Sequence, residues 1–146
     1  MKQLLGFIYG VIAYAGFMGW MVYMIGFLHD FAVPKTVDSG SAGPVGVAIL
    51  VNFLLILIFA LQHTIMARPA FKENWTRLVP KPLERSTFVF VADIIMWAIV
   101  WQWRPIEGVL WHVQSPTTAN VLIAVSLLGW VVVVLSSFMI NHFELL

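Results

Sequence analysis

Four long apolar runs, separated by short polar stretches, set the architecture. Leu4 to Leu28 is continuous and exceeds the roughly 20 residues that a helix needs to span the hydrocarbon core. Val45 to Met66 is the second run. Phe88 to Trp103 is shorter and needs Ser86 and Thr87 to reach spanning length, and Ala119 to Ile140 is the fourth. Inside the first run Gly6, Gly10 and Ala13 make a small-residue stripe that lets another helix approach closely. Between the second and third runs Phe71, Trp75 and Leu78 recur at i, i+4 and i+7 among Lys72, Glu73, Thr76 and Arg77. That is the pattern of a short amphipathic helix lying in the interface. Pro80-Lys81-Pro82 should break it, with Ser86 capping the helix that follows. The expectation is an all-α integral membrane protein of one domain, 1–146. It has spans at about 4–28, 45–66, 86–104 and 119–140, with the interfacial helix inside the connecting stretch 67–85.

Composition agrees with the pattern. Of 146 residues 61% are hydrophobic and 10% charged, and the mean hydropathy is +0.92. A soluble domain of this size buries only about two-thirds of its unfolded surface and could not hide so much apolar area. There is no cysteine, which excludes disulfides, thiolate metal sites and cysteine nucleophiles. The net charge of +1 says little, but its distribution says more. With four spans, Lys2, Arg68, Lys72, Arg77, Lys81 and Arg85 share one side and only Lys35 and Arg104 the other. That asymmetry favours both termini in the cytoplasm, with anionic lipid as a neighbour. So few basic residues, facing a bilayer, speak against nucleic-acid binding.

The ionisable residues at membrane depth carry the candidate chemistry. His63 stands roughly 7 Å inside Arg68, and Asp93 roughly 12 Å inside Arg85, at 1.5 Å per helical residue. Asn52, three turns before His63, shares its face, which should point into protein. A hydrogen-bonded His63–Asp93 pair is the expected way for both to tolerate their depth. Such a pair would orient a substrate or move a proton, or else simply fasten two helices. Trp97, Trp101 and Trp103 form an aromatic belt at the far end of the third span. His142 belongs to the same side as His63, and His29 and His112 to the opposite one. Histidines paired across helices could also ligate a haem. A haem-binding anchor and a non-catalytic membrane subunit both stay open on these grounds.

The stretch Gln62-His63-Thr64-Ile65-Met66-Ala67-Arg68-Pro69-Ala70-Phe71-Lys72 is the most specific in the chain. Trp75-Thr76-Arg77, Glu84-Arg85-Ser86-Thr87 and Trp101-Gln102-Trp103-Arg104-Pro105-Ile106 extend it. Together they resemble bacterial methanethiol S-methyltransferases, membrane enzymes related to the isoprenylcysteine carboxyl methyltransferases and to NnrU. The terminal Asn141-His142-Phe143-Glu144-Leu145 resembles the family segment that leads into its second half. The resemblance implies methyl transfer from S-adenosylmethionine to a small thiol, methanethiol giving dimethyl sulfide. His63 is then the candidate proton acceptor, and Gln62, Arg68, Glu84, Arg85 and His142 are candidates for the cytoplasmic mouth. In one respect the sequence departs from the family. The Arg-His-Pro element and later acidic-Arg pair that contact the cofactor are missing, since Arg68-Pro69 and Arg104-Pro105 lack the intervening histidine. The expected cofactor site therefore lies in a C-terminal half or a partner subunit.

Overall fold

The computed structural model describes residues 2–109 and 112–139, with the side chains of residues 2 and 137–139 left aside. Five helices follow one another: α1 (Lys2–Leu28), α2 (Val45–Met66), α3 (Pro69–Trp75), α4 (Lys81–Gln102) and α5 (Pro116–Met139). No strand occurs among the described residues. Three helices are long and apolar enough to cross a membrane, over Gln3–Leu28, Val45–Met66 and Pro116–Ser136. Leu50, Phe53, Leu54, Leu57 and Leu61 of α2 stand exposed. In water such a face would be an aggregation site, whereas lipid solvates it. The chain is a membrane protein. Its internal contacts divide it into two units, residues 1–107 and 108–145.

The first unit is organised on α4, which packs against both α1 and α2. Along α1 the positions facing α4 are Gly6, Tyr9, Gly16, Trp20 and Phe27, with Ala13 buried between them. They alternate at three and four residues, the spacing that keeps one seam turned to a neighbouring helix. Tyr9 Oη donates to Thr87 Oγ1 (3.3 Å), and Trp20 Nε1 donates to the Met96 carbonyl (3.1 Å). The offset of 76–78 residues holds along the seam, so α1 and α4 run parallel. Phe27 closes it edge-on to Trp103, the ring centroids 6.2 Å apart. The small residues seen in the sequence thus serve a helix of the same chain. Gly6 meets Leu83, and Ala13 is 1% exposed.

α2 lies antiparallel to α4, as the Asn52–Arg104 and His63–Phe88 contacts require. The N-terminal end of α1, the C-terminal end of α2, α3 and the N-terminal end of α4 therefore share one end of the unit.

Three boundary expectations are corrected. α4 begins at Lys81 with Pro80 in the cap position and no side-chain cap. The Pro80-Lys81-Pro82 stretch does divide α3 from α4, as expected, and Pro82 stands in the first turn of α4. Its fixed φ suits a first turn, where the missing N–H is not needed. Ser86, expected to cap, is instead buried inside α4 at 2% exposure. The amphipathic stretch forms α3 over Pro69–Trp75, shorter than the pattern, with Phe71 stacked on Trp75 and Leu78 beyond its end. In the second unit Ser115 Oγ accepts from the Thr118 N–H (3.4 Å), so α5 starts three residues before the apolar run does.

α1 ends in a tight reversal. Phe31 N–H bonds to the Gly26 carbonyl (3.0 Å), and Asp30 takes φ +52° between them. This is a Schellman closure with aspartate where glycine is usual. A Cβ on Gly26 would stand 2.5 Å from the Phe31 carbonyl oxygen and 2.7 Å from Val33 Cγ1. Because backbone must move, Gly26→Ala is expected to destabilise by about 1–3 kcal/mol, read as a lower midpoint of thermal unfolding in detergent.

Candidate functional site

The expected site residues fall into two groups. At the end that gathers the basic residues, Lys72 of α3 pairs with Glu84 of α4 (3.3 Å) and ties the short helix to the long one. Both groups are partly solvated, so the pair orients more than it stabilises. Gln62 is half-buried and its Nε2 donates to Met66 Sδ (3.2 Å), while its Oε1 is buried without a partner among the described residues. Arg68 takes the cap position of α3 and is exposed, as is Arg85 one turn into α4. Trp75 has its Nε1 buried without a partner among the described residues.

His63 is exposed on α2. Its ring lies between Phe59 (5.5 Å between centroids) and Phe88 of α4 (5.1 Å). Asp93 does not meet it. Its side chain is 4% exposed and neither carboxyl oxygen has a hydrogen-bond partner among the described residues. The carboxyl lies instead against α1, where a Cβ on Gly16 would stand 2.8 Å from Oδ2. Helical geometry gives the reason. Phe88 and Asp93 are five residues apart, about 140° around the helix axis, so a helix with α2 on the Phe88 side offers Asp93 to α1. The expected His63–Asp93 pair is not formed.

Asn52 does turn into protein, and it supplies the strongest polar contact the sequence did not foretell. Its Nδ2 donates to the Arg104 carbonyl (2.8 Å) and its Oδ1 accepts from the Arg104 N–H (2.9 Å). Only its partner was hidden, because a backbone group leaves no mark on residue type. Trp97 and Trp103 of the aromatic belt pack inward on Tyr23 and Phe27, while Trp101 is exposed. His29 Nδ1 is 2.8 Å from the Ile25 carbonyl. His112 lies in the second unit, and His142 lies outside the described residues. No cluster of three or more metal-ligating side chains occurs among the described residues.

An open cavity of about 660 Å³ lies between the N-terminal ends of α1 and α4. Leu5, Phe7, Pro80, Pro82 and Leu83 line it, with Gln3 as its one polar side chain. A nucleoside cofactor brings an adenine, a ribose and a charged amino-acid tail, and each needs hydrogen-bond partners. These walls do not offer them.

Comparison with known proteins gives a consistent set of relatives. The chain is 47% identical to the methanethiol S-methyltransferase of Mycobacterium tuberculosis over 145 residues, which is 99% of this chain and 59% of that protein. It is 46% identical to methanethiol S-methyltransferase 1 of Bradyrhizobium diazoefficiens over 143 residues, 98% of this chain and 50% of that one. The methanethiol S-methyltransferase of Pseudomonas deceptionensis is 40% identical over 143 residues, with 55% of its length covered. No family profile and no solved structure matches. The chain spans about half the length of the curated relatives it matches. Along almost all of its own length, this chain is similar to proteins named methanethiol S-methyltransferase.

Proposed function

We propose that the chain is the N-terminal, membrane-embedded half of a thiol S-methyltransferase, moving a methyl group from S-adenosylmethionine to methanethiol and releasing dimethyl sulfide. The observation that carries this reading is 47% identity along 99% of the chain to a protein of that name. On this reading α1, α2, α4 and α5 each span the bilayer, and α3 lies in the interface. The end formed by α3 and the N-terminal ends of α1 and α4 faces the cytoplasm, because six of the eight basic residues are there. Lys35 and Arg104 face the other side of a bacterial inner membrane.

Bound S-adenosylmethionine supplies an activated methyl group, and transfer to a thiol then needs alignment and removal of the thiol proton. The apolar cavity between α1 and α4 does not fit the whole cofactor, so on this reading the cofactor site lies in the remaining length of the relatives, on the same chain or a partner subunit. What this chain contributes is the thiol side. His63, its ring held between Phe59 and Phe88, takes the thiol proton. Gln62, Arg68, Glu84 and Arg85 shape the cytoplasmic mouth, with Lys72–Glu84 fixing α3 against it.

Calorimetric titration of S-adenosylmethionine tests the division of labour. The 146-residue chain alone should give no saturable heat. The chain joined to the remaining part of the Mycobacterium tuberculosis relative should give a one-site isotherm. Saturable binding to the 146 residues alone would contradict the assignment of the cofactor to the other half.

A further inference from the structure

The end of the first unit opposite the basic cluster holds only two cations, Lys35 and Arg104, and both line the same cavity. Gly40, Ser41, Gln102 and Trp103 complete much of its wall, and its volume is about 190 Å³, room for about six waters. No carboxylate lines it. Among the described residues neither cation forms an ion pair, the Lys72–Glu84 bridge standing at the other end.

The cavity is built rather than incidental. The loop from α1 to α2 is fastened by Tyr23, whose hydroxyl donates to the Lys35 carbonyl (3.1 Å) and accepts from the Lys35 N–H (3.2 Å). Lys35 Nζ donates to the Trp103 carbonyl (3.2 Å), leaving two of its three N–H groups for a ligand. Gly40 takes φ +120°, a conformation open to glycine, and brings the loop to within van der Waals reach of the Pro105 ring. Asn52 holds the Arg104 backbone from both sides, so the guanidinium starts from a fixed Cα. The same bonds occupy the two carbonyls just beyond the end of α4. Trp103 O is taken by Lys35 and Arg104 O by Asn52.

Two cations of unlike geometry, with no acid between them and tryptophans beside them, suit a phosphate held at headgroup depth. Basic pockets between spanning helices bind lipid headgroups on the cytoplasmic side of membranes, and this pocket presents the same chemistry to the opposite leaflet. We propose that this cavity binds a phosphate-class anion, the headgroup of an anionic phospholipid or a soluble phosphomonoester, through Lys35 and Arg104.

The test is native mass spectrometry of the chain released from nanodiscs of phosphatidylglycerol mixed with phosphatidylcholine. The wild type should retain phosphatidylglycerol over phosphatidylcholine. Arg104→Gln and Lys35→Gln should each lower that retention about fivefold, the effect of one basic group at a membrane surface. Arg77→Gln with Lys81→Gln, at the other end, should leave it unchanged. Glycerol 3-phosphate displacing the lipid completely would identify a soluble phosphomonoester as the ligand, and failure to displace it identifies the headgroup. Equal retention of both lipids by the wild type, with no bound glycerol phosphate, would overturn the proposal. So would a preference lost only in the Arg77/Lys81 variant. If Arg104→Gln does not fold, Arg104→Lys keeps the charge without the planar fork and should show a smaller loss.

Discussion

Gly16→Ala is expected to destabilise the chain, and adding Asp93→Ala is expected to restore it. A methyl on Gly16 would stand 2.8 Å from Asp93 Oδ2 in the seam between α1 and α4, where the side chain is 4% exposed and cannot swing into solvent. Overpacking of that kind costs about 1–3 kcal/mol. Asp93→Ala alone should raise stability by about 1–2 kcal/mol, because it removes a buried polar group with no hydrogen-bond partner among the described residues. With both changes the new methyl occupies space that the carboxyl has left. The cycle should therefore show a favourable coupling of about 1–3 kcal/mol, the range for residues in direct contact. Thermal unfolding of the four proteins in one detergent measures it, and additive effects would show that the two positions do not share the space. If Asp93→Ala also slows methyl transfer in a stabilised protein, the carboxyl acts in function rather than in holding the helices.

Asn52→Ala should be the most damaging loss of a polar side chain. It leaves the Arg104 N–H and carbonyl without the partners that now hold them at 2.9 and 2.8 Å. An orphaned buried backbone group costs about 1–3 kcal/mol, while hydrogen bonds within membranes average about 0.6 kcal/mol, so about 2 kcal/mol is expected for the two together. Asn52→Asp sets a carboxyl oxygen against the Arg104 carbonyl at membrane depth and should destabilise at least as much as alanine. An unfolding midpoint unmoved by Asn52→Ala would show that the α2–α4 contact rests on apolar packing alone.

The helices were legible because apolar runs record the requirement of the bilayer directly. Their contacts were legible only where residue type constrains a neighbour. Gly6 and Ala13 announced a close helix, but not that the helix would be α4 of the same chain. His63 and Asp93 looked paired because depth along a helix can be read from sequence. The angle around α4 needs its neighbours, and with Phe88 turned to α2 the carboxyl is offered to α1. Lys35 and Arg104 were visible as the two cations of one side. That they meet in one cavity depends on Tyr23, Asn52 and the Gly40 turn, contacts through backbone atoms that every residue carries. The stretch from Gln62 to Lys72 signalled the family, and the relatives bear that out at 40–47% identity.

The most direct measurement is dimethyl sulfide in the headspace over membranes supplied with S-adenosylmethionine and methanethiol. The chain joined to the remaining part of the Mycobacterium tuberculosis relative should produce it, and the 146 residues alone should not. A joined protein that folds, inserts and binds the cofactor, yet releases no dimethyl sulfide, would contradict the reading of this chain as half of a methanethiol S-methyltransferase.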